Sequence, residues 1–312
     1  MDSNDVVLNM KLIENDHDDH IRNQELGVFD ILKEALVIIF KNFNLIIFIF
    51  LVSIPLFCFL VYYERTLVET LNILRQTDHG FYDHNWPASL HDLLVIGKTK
   101  HVYYKLVQLG FLYLVPLHLL ELCTVVVTIH LSSKIYAKEE TAMTLKEMIH
   151  KPIYGTRLRG TFITSFYVLF LSTFTLLGLI SFVTHWVNIS NSVIGFFFQV
   201  FYGAIFLPLA KMYLEWGAMW NMSIVISVLE GIYGGEAFAL SAYYSKGSEW
   251  RGLILMLIFS VWGLGLRLPC VFFGCYEGGI GIVVRSSLFC LGNVLKWVVF
   301  VVYFYDCKKR TL

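Results

Sequence analysis

The sequence predicts an all-α fold: a polytopic membrane bundle of six transmembrane helices with short interfacial amphipathic helices. Three observations carry that expectation. Of the 312 residues, 57% are hydrophobic and only 15% charged, whereas soluble domains carry about 25% charged residues. The mean hydropathy is +0.64, so the polar side chains are too few to cover a globular surface. Several stretches also reach the roughly 20 apolar residues that a bilayer core about 30 Å thick demands. Twenty-four basic residues balance twenty-four acidic ones, so no net charge draws the chain to nucleic acid.

The chain divides into an acidic cytosolic tail (1–27), a six-helix membrane domain (28–306) and a basic cytosolic tail (307–312). In residues 1–30, Lys11 and Arg22 stand against Asp2, Asp5, Glu14, Asp16, Asp18, Asp19, Glu25 and Asp30. A cleaved signal peptide starts basic and turns apolar early. This segment does neither, so the first membrane helix is expected to act as an uncleaved targeting signal. The run Asp16-His17-Asp18-Asp19-His20 has the chemistry of metal ligands, but acidic tails of this composition ordinarily stay solvated. No metal or other cofactor is assigned.

The expected spans follow in order. The first covers about 45–63, the second 106–131 and the third 161–187. The fourth, 193–229, is too long for one perpendicular crossing at 1.5 Å per residue. Pro208 is expected to kink it, because the ring removes a backbone donor and clashes with the preceding turn. Two short spans parted near Leu209 to Lys211 are the alternative. The fifth (253–273) and sixth (280–305) are joined by the turn from Gly274 to Gly279. Of the basic residues in connecting segments, about 15 then fall on the side of the tails and five on the other. By the positive-inside rule both termini are cytosolic; seven spans would reverse part of that bias. The sequon Asn188-Ile189-Ser190 lies on the lumenal side, too close to the membrane for glycosylation. Six cysteines, mostly in apolar segments, form no disulfide pattern.

An amphipathic segment, a basic residue and a span recur three times. Val28, Ile31, Leu32, Ala35, Leu36 and Ile39 form the first face, before Lys41. Ala142, Leu145 and Ile149 form the second, before Arg157 and Arg159. Tyr233, Ala237, Leu240 and Tyr244 form the third, before Arg251 and Gly252. Such helices are too charged to span and lie at the headgroup layer. All three fall on the cytosolic side, either as a collar that contacts lipid or as plugs for the ends of the bundle.

Ionisable residues inside spans are costly and mark function or specific pairing. His118 and Glu121 fall in the second span, Lys211 and Glu215 in the fourth, and Arg267 in the fifth. Measured from the span midpoints they share a similar depth, and Glu121, Lys211, Glu215 and Arg267 sum to neutrality. They form the candidate polar cluster, read either as a substrate pathway or as an ion-pair network fixing the helices. Arg285 and Lys296 are expected to snorkel toward the ends of the sixth span. After it, Cys307 beside Lys308, Lys309 and Arg310 suits palmitoylation and anionic-lipid contact, or a plain charge stop.

The stretch Val228-Leu229-Glu230-Gly231-Ile232-Tyr233-Gly234-Gly235-Glu236-Ala237, with Ser241 and then Lys246-Gly247, resembles a hinge in a plant family of uncharacterised six-span transmembrane proteins. It is more distantly similar to the membrane domain of bacterial glycerophosphodiester phosphodiesterases. The resemblance runs from about Glu25 to Tyr305 and implies six helices with interfacial hinges. The residues it singles out are Glu230, Gly231, Gly234, Glu236, Ala237, Ser241 and Lys246. The soluble phosphodiesterase domain has no counterpart, so no hydrolysis is carried over.

The function expected is that of a non-enzymatic membrane protein of the endoplasmic reticulum or plasma membrane, organising lipid or partner proteins through its cytosolic collar. The alternative is a carrier for a small solute or lipid built on the charge cluster. No zinc-protease pair, nucleophile elbow or phosphate-binding loop occurs. The partners expected are the bilayer, with anionic lipid at the cytosolic face.

Overall fold

A computed structural model describes residues 26–80, 104–137, 155–188, 193–273 and 279–311. Every element among them is helical: α1 (Val28–Lys41), α2 (Phe43–Gly80), α3 (Tyr104–Tyr136), α4 (Gly155–Asn188), α5 (Val193–Leu229), α6 (Gly235–Ser245), α7 (Glu249–Phe273) and α8 (Ile280–Thr311). Within α3 the residues Tyr113–Leu117 widen into a π-turn around Pro116. A proline offers no amide proton to the ladder, and a π-turn is a common way for a helix to absorb the gap.

The six long helices alternate in direction. The end of α3 meets the end of α8 through Ser133 and Tyr305, whose hydroxyls share a hydrogen bond of 2.7 Å. The start of α7 meets the same region through Arg251 and Asp306. At the other end Glu64 of α2 meets Arg285 near the start of α8. α8 is the axis of the bundle: it packs on α1, α2, α3, α5, α6 and α7. Every residue from Trp297 to Phe304 is buried, and a helix apolar on all sides belongs in a core.

Five stretches are long and apolar enough to cross a membrane: Phe43–Thr70, Tyr104–Tyr136, Arg159–Val183, Glu249–Arg267 and Ile280–Thr311. α5, expected as the fourth of six spans, is not among them, since Lys211, Glu215 and Asn221 interrupt the apolar run of its described side chains. The apolar surface of the bundle faces outward. Phe162, Phe166, Phe170 and Phe174 form an exposed ladder along α4, with ring centroids 6.4, 6.0 and 4.8 Å apart. Soluble monomers rarely expose so long an apolar stripe; together with the five apolar stretches it makes this an integral membrane protein.

Two of the three expected amphipathic helices are described, and each buries a face slightly different from the expected one. α1 buries Ile31, Ala35 and Ile38, while Leu36 is exposed. Its ends are closed by side chains: the Gly27 amide donates to Asp30 at 3.0 Å, and Asn42 Nδ2 donates to the Ile38 carbonyl at 2.9 Å. α6 buries Ala237, Ser241 and Ser245, with Leu240 and Tyr244 half-buried and Tyr233 exposed before the helix begins. These small residues let α6 lie close against α5 and α8. The expected segment at 142–150, the tail 1–25, the segment 81–103 and the 274–278 turn lie outside the described residues.

Candidate functional site

Among the described residues, the five expected cluster residues are joined by one ion pair, Lys211 to Glu215, while Glu121 and Arg267 both lie within electrostatic reach of Tyr113. Lys211 and Glu215 meet, Nζ to Oε1 at 3.3 Å, one turn apart on α5. Their side chains are 58% and 30% exposed. The inward face of α5 is instead made by residues such as Ala218, Met222, Val225 and Ile226. His118 Nε2 lies 3.1 Å from the Ser165 hydroxyl of α4. Glu121 is half-buried and within electrostatic reach of His118, Cys290 and Lys296. Arg267 is exposed, within electrostatic reach of Tyr63 and Tyr113. Among the described residues no ion pair links Glu121, Arg267 and the Lys211–Glu215 pair. Similar depth along the bilayer normal does not fix which face of a helix a residue occupies.

The two cations expected to snorkel do not. Lys296 stands midway along Ile280–Thr311, half-buried, with Nζ 4.6 Å from the Trp297 ring centroid. Arg285 is 12% exposed and holds Glu64, itself 6% exposed, at 3.0 and 3.2 Å. Glu64 escapes notice in the sequence because it falls one residue beyond the first expected span.

The polar centre that the fold builds lies where α8 ends. Arg251 Nη1 donates to Asp306 Oδ2 at 2.7 Å and to the Leu26 carbonyl at 2.8 Å, while the Leu26 amide donates to Asp306 Oδ1 at 3.3 Å. One ion pair thus ties the entry to α1, the start of α7 and the end of α8. Two residues further on, Lys308 Nζ donates to Glu230 Oε1 at 2.6 Å. Arg310 Nη2 donates to Ser248 Oγ at 2.8 Å, and to the Lys246 and Tyr244 carbonyls at 2.9 and 3.4 Å. Tyr303 donates its hydroxyl to the Ser248 carbonyl at 3.1 Å.

The hinge between α5 and α7 is therefore held by the C-terminal basic run. Its backbone explains its glycines: Gly231, Gly234 and Gly247 have φ of 75°, 65° and 82°, a region that a side chain makes costly. The Gly234 amide donates to Thr164 Oγ1 of α4 at 2.9 Å, and Thr164 donates in turn to Ser227 at 3.2 Å. Of the other hinge residues, Glu230 is ion-paired and Ala237 is fully buried. Ser241 is buried and donates to the Phe238 carbonyl at 2.9 Å, whereas Glu236 is exposed in the first turn of α6. Lys246 takes part through its carbonyl.

Two readings of the C-terminus are thereby corrected. Cys307 is fully buried with Sγ 3.2 Å from the Ser248 hydroxyl, so its thiol is not presented for palmitoylation. Lys308 and Arg310 are structural ties rather than a simple charge stop. Elsewhere, an open apolar groove of about 620 Å³ runs along α7, lined by Leu257, Ile258, Val261, Trp262, Gly265 and Leu266, and it touches none of the expected cluster residues. Among the described residues no group of three or more His, Cys, Asp or Glu stands close enough to hold a metal ion.

No curated protein and no solved structure matches the chain. A family described as a domain of unknown function, DUF8558, matches residues 17–309, which is nearly the whole chain, and the chain belongs to that family.

Proposed function

We propose that this is a non-enzymatic membrane protein of six crossings that organises anionic lipid, and through it partner proteins, at its cytosolic face. The observation that supports the reading most is the concentration of ionic and hydrogen-bonded ties at one end of the bundle. There α1, the hinge, α6 and the ends of α7 and α8 are locked together. Leu26 and Asp306 meet there, which fits an even number of crossings with both tails on one side. Exposed Lys41, Arg159 and Lys309 rim the same end, where each cation near an anionic surface contributes about 1 kcal/mol of attraction. The hinge's likeness to the plant six-span family and to the bacterial phosphodiesterase membrane domain belongs to this reading, as does an endomembrane or plasma-membrane location.

Lipid retention tests it. Native mass spectrometry of the protein released from membranes should show anionic phospholipid retained, and less of it after Lys41, Arg159 and Lys309 are all changed to Gln. Equal retention by the two proteins, or none by either, would sink the reading. Cysteine labelling of residues near Lys146 from the cytosolic side checks the orientation; modification from the lumenal side overturns it.

The second reading is a carrier, favoured by the half-buried Glu121 and Lys296 between α3 and α8. It requires solute flux in vesicles that Glu121→Gln abolishes without unfolding the protein.

A further inference from the structure

We propose that the outward face of α5 is a self-complementary surface on which a second copy of this chain docks, Lys211 of each copy bridging to Glu215 of the other. The face is continuous at helical spacing: Val200, Ala204, Leu207 and Lys211 are exposed, and Glu215 follows one turn later. Leu207 is 71% exposed and the Lys211 side chain 58%. Ala204 offers little side chain, and a Cβ added at the neighbouring Gly203 would meet nothing within 4 Å. A small-residue notch of this kind lets two membrane helices approach closely.

Depth makes the face costly to leave bare. A Cβ on Gly217 would touch Met256, and one on Gly252 would touch Ala218, so this part of α5 lies beside the first turns of α7. Lys211 is seven residues before Ala218, about 10 Å further from the collar at 1.5 Å per residue. On the six-crossing reading, on which this step rests, that is within the hydrocarbon. An ion pair open to lipid there is unfavourable, and such residues ordinarily face protein or a water-filled cavity.

The charges choose the partner. An ammonium and a carboxylate one turn apart on one helix form a pattern that its own two-fold copy complements. With the axis along the bilayer normal and the two α5 helices parallel, each Lys211 meets the other chain's Glu215, and the four charges close into a neutral ring. Isologous contacts of this kind are the commonest in homo-oligomers.

Charge-swapped chains provide the test. The Lys211→Glu chain carries two carboxylates on the face and the Glu215→Lys chain two ammonium groups, so each should repel its own copy. Co-expressed with different tags, the two should capture one another at least tenfold more than either captures itself. Neither chain regains the pair within its own helix, so a merely intrahelical role predicts no gain on mixing, and equal capture overturns the proposal. The double variant Lys211→Met with Glu215→Leu keeps an apolar face that a membrane helix tolerates, and it should run as a monomer in nanodiscs where the parent runs as a dimer. Ala204→Cys should cross-link between copies in native membranes. A parent that is monomeric in nanodiscs, whether bare, lipid-covered or bound to a different protein, overturns the proposal. That result leaves the lipid-retention test unaffected, so the two ideas fail separately.

Discussion

Arg251 and Asp306 stand 2.7 Å apart with 12% and 10% of their side chains exposed, and the same guanidinium nitrogen also holds the Leu26 carbonyl. Positions nearly at opposite ends of the chain are joined by one nitrogen. The other terminal nitrogen, Nη2, is buried without a hydrogen-bond partner among the described residues, so the pair is not fully compensated. Intact buried pairs of this kind add little net stability, since desolvation offsets much of the attraction.

Removing one partner strands the other charge. Arg251→Met or Asp306→Leu should each destabilise the protein by about 3–5 kcal/mol, whereas the double variant should recover much of that loss. Thermal unfolding in detergent measures it. Limited proteolysis between Leu26 and Lys41 should quicken in the single variants, because the clasp anchors the start of α1. Unchanged unfolding midpoints in both single variants would show that the clasp contributes nothing.

The Lys308–Glu230 pair should behave differently. Its side chains are 34% and 17% exposed, and partly solvated pairs contribute about 0–1 kcal/mol. Glu230→Gln should therefore scarcely alter global stability. Hydrogen exchange at Gly231 to Gly234 should nevertheless rise several-fold, since this tie joins the hinge to α8. A loss of several kcal/mol would mean that the pair is more deeply desolvated than its exposure implies.

Thr164→Val should cost about 1–3 kcal/mol, because it removes the hydroxyl that accepts from the buried Gly234 amide and leaves that donor unsatisfied. Gly234→Ala should cost about 1–3 kcal/mol for a different reason, strain in a sparsely populated backbone region, φ 65° and ψ −139°. Chemical denaturation of each variant and of the pair separates the two effects. Additive losses indicate independent causes, and a smaller combined loss indicates that strain in Gly234→Ala already breaks the hydrogen bond.

Helical class and helix positions are legible in the sequence because both follow from the length and spacing of apolar runs. The 193–229 and 280–305 segments lie within α5 and α8, and the glycines of the 230–247 stretch mark its turns. Partners across the bundle are not legible, since periodicity fixes a residue's face only relative to its own helix. Similar depth alone therefore cannot pair Glu121 with Lys211, and the contact between Arg251 and Asp306 has no periodic signature. A usable signal was present: Asp306 is an acid set directly before four residues that include three cations, and Arg251 opens an apolar run. Charges at span ends serve both as topology markers and as mutual ties, and the positive-inside rule addresses only the first role.

Cys307 should be the slowest of the four described cysteines to react. It is fully buried against Ser248, whereas Cys58 and Cys123 are exposed to the membrane side and Cys290 is half-buried. A membrane-permeant maleimide should modify Cys307 only after denaturation, and Arg251→Met should hasten that reaction by loosening the end of α8. Rapid labelling of Cys307 in the folded parent would contradict the packing at this end.

Among the described glycines, the one whose added Cβ would come closest to another helix is Gly292 of α8, 2.5 Å from Trp262 Nε1 of α7. An indole ring cannot yield like the end of a flexible chain, so Gly292→Ala should cost about 1–3 kcal/mol by overpacking. Trp262→Leu should cost less than an ordinary buried tryptophan truncation, because Trp262 is 44% exposed. Combined, the two substitutions should be less destabilising than their sum, since the smaller side chain makes room for the new methyl group. Thermal unfolding of the four proteins in the cycle gives the coupling directly. Strict additivity would mean that α7 and α8 are further apart at this level than the Gly292–Trp262 contact requires.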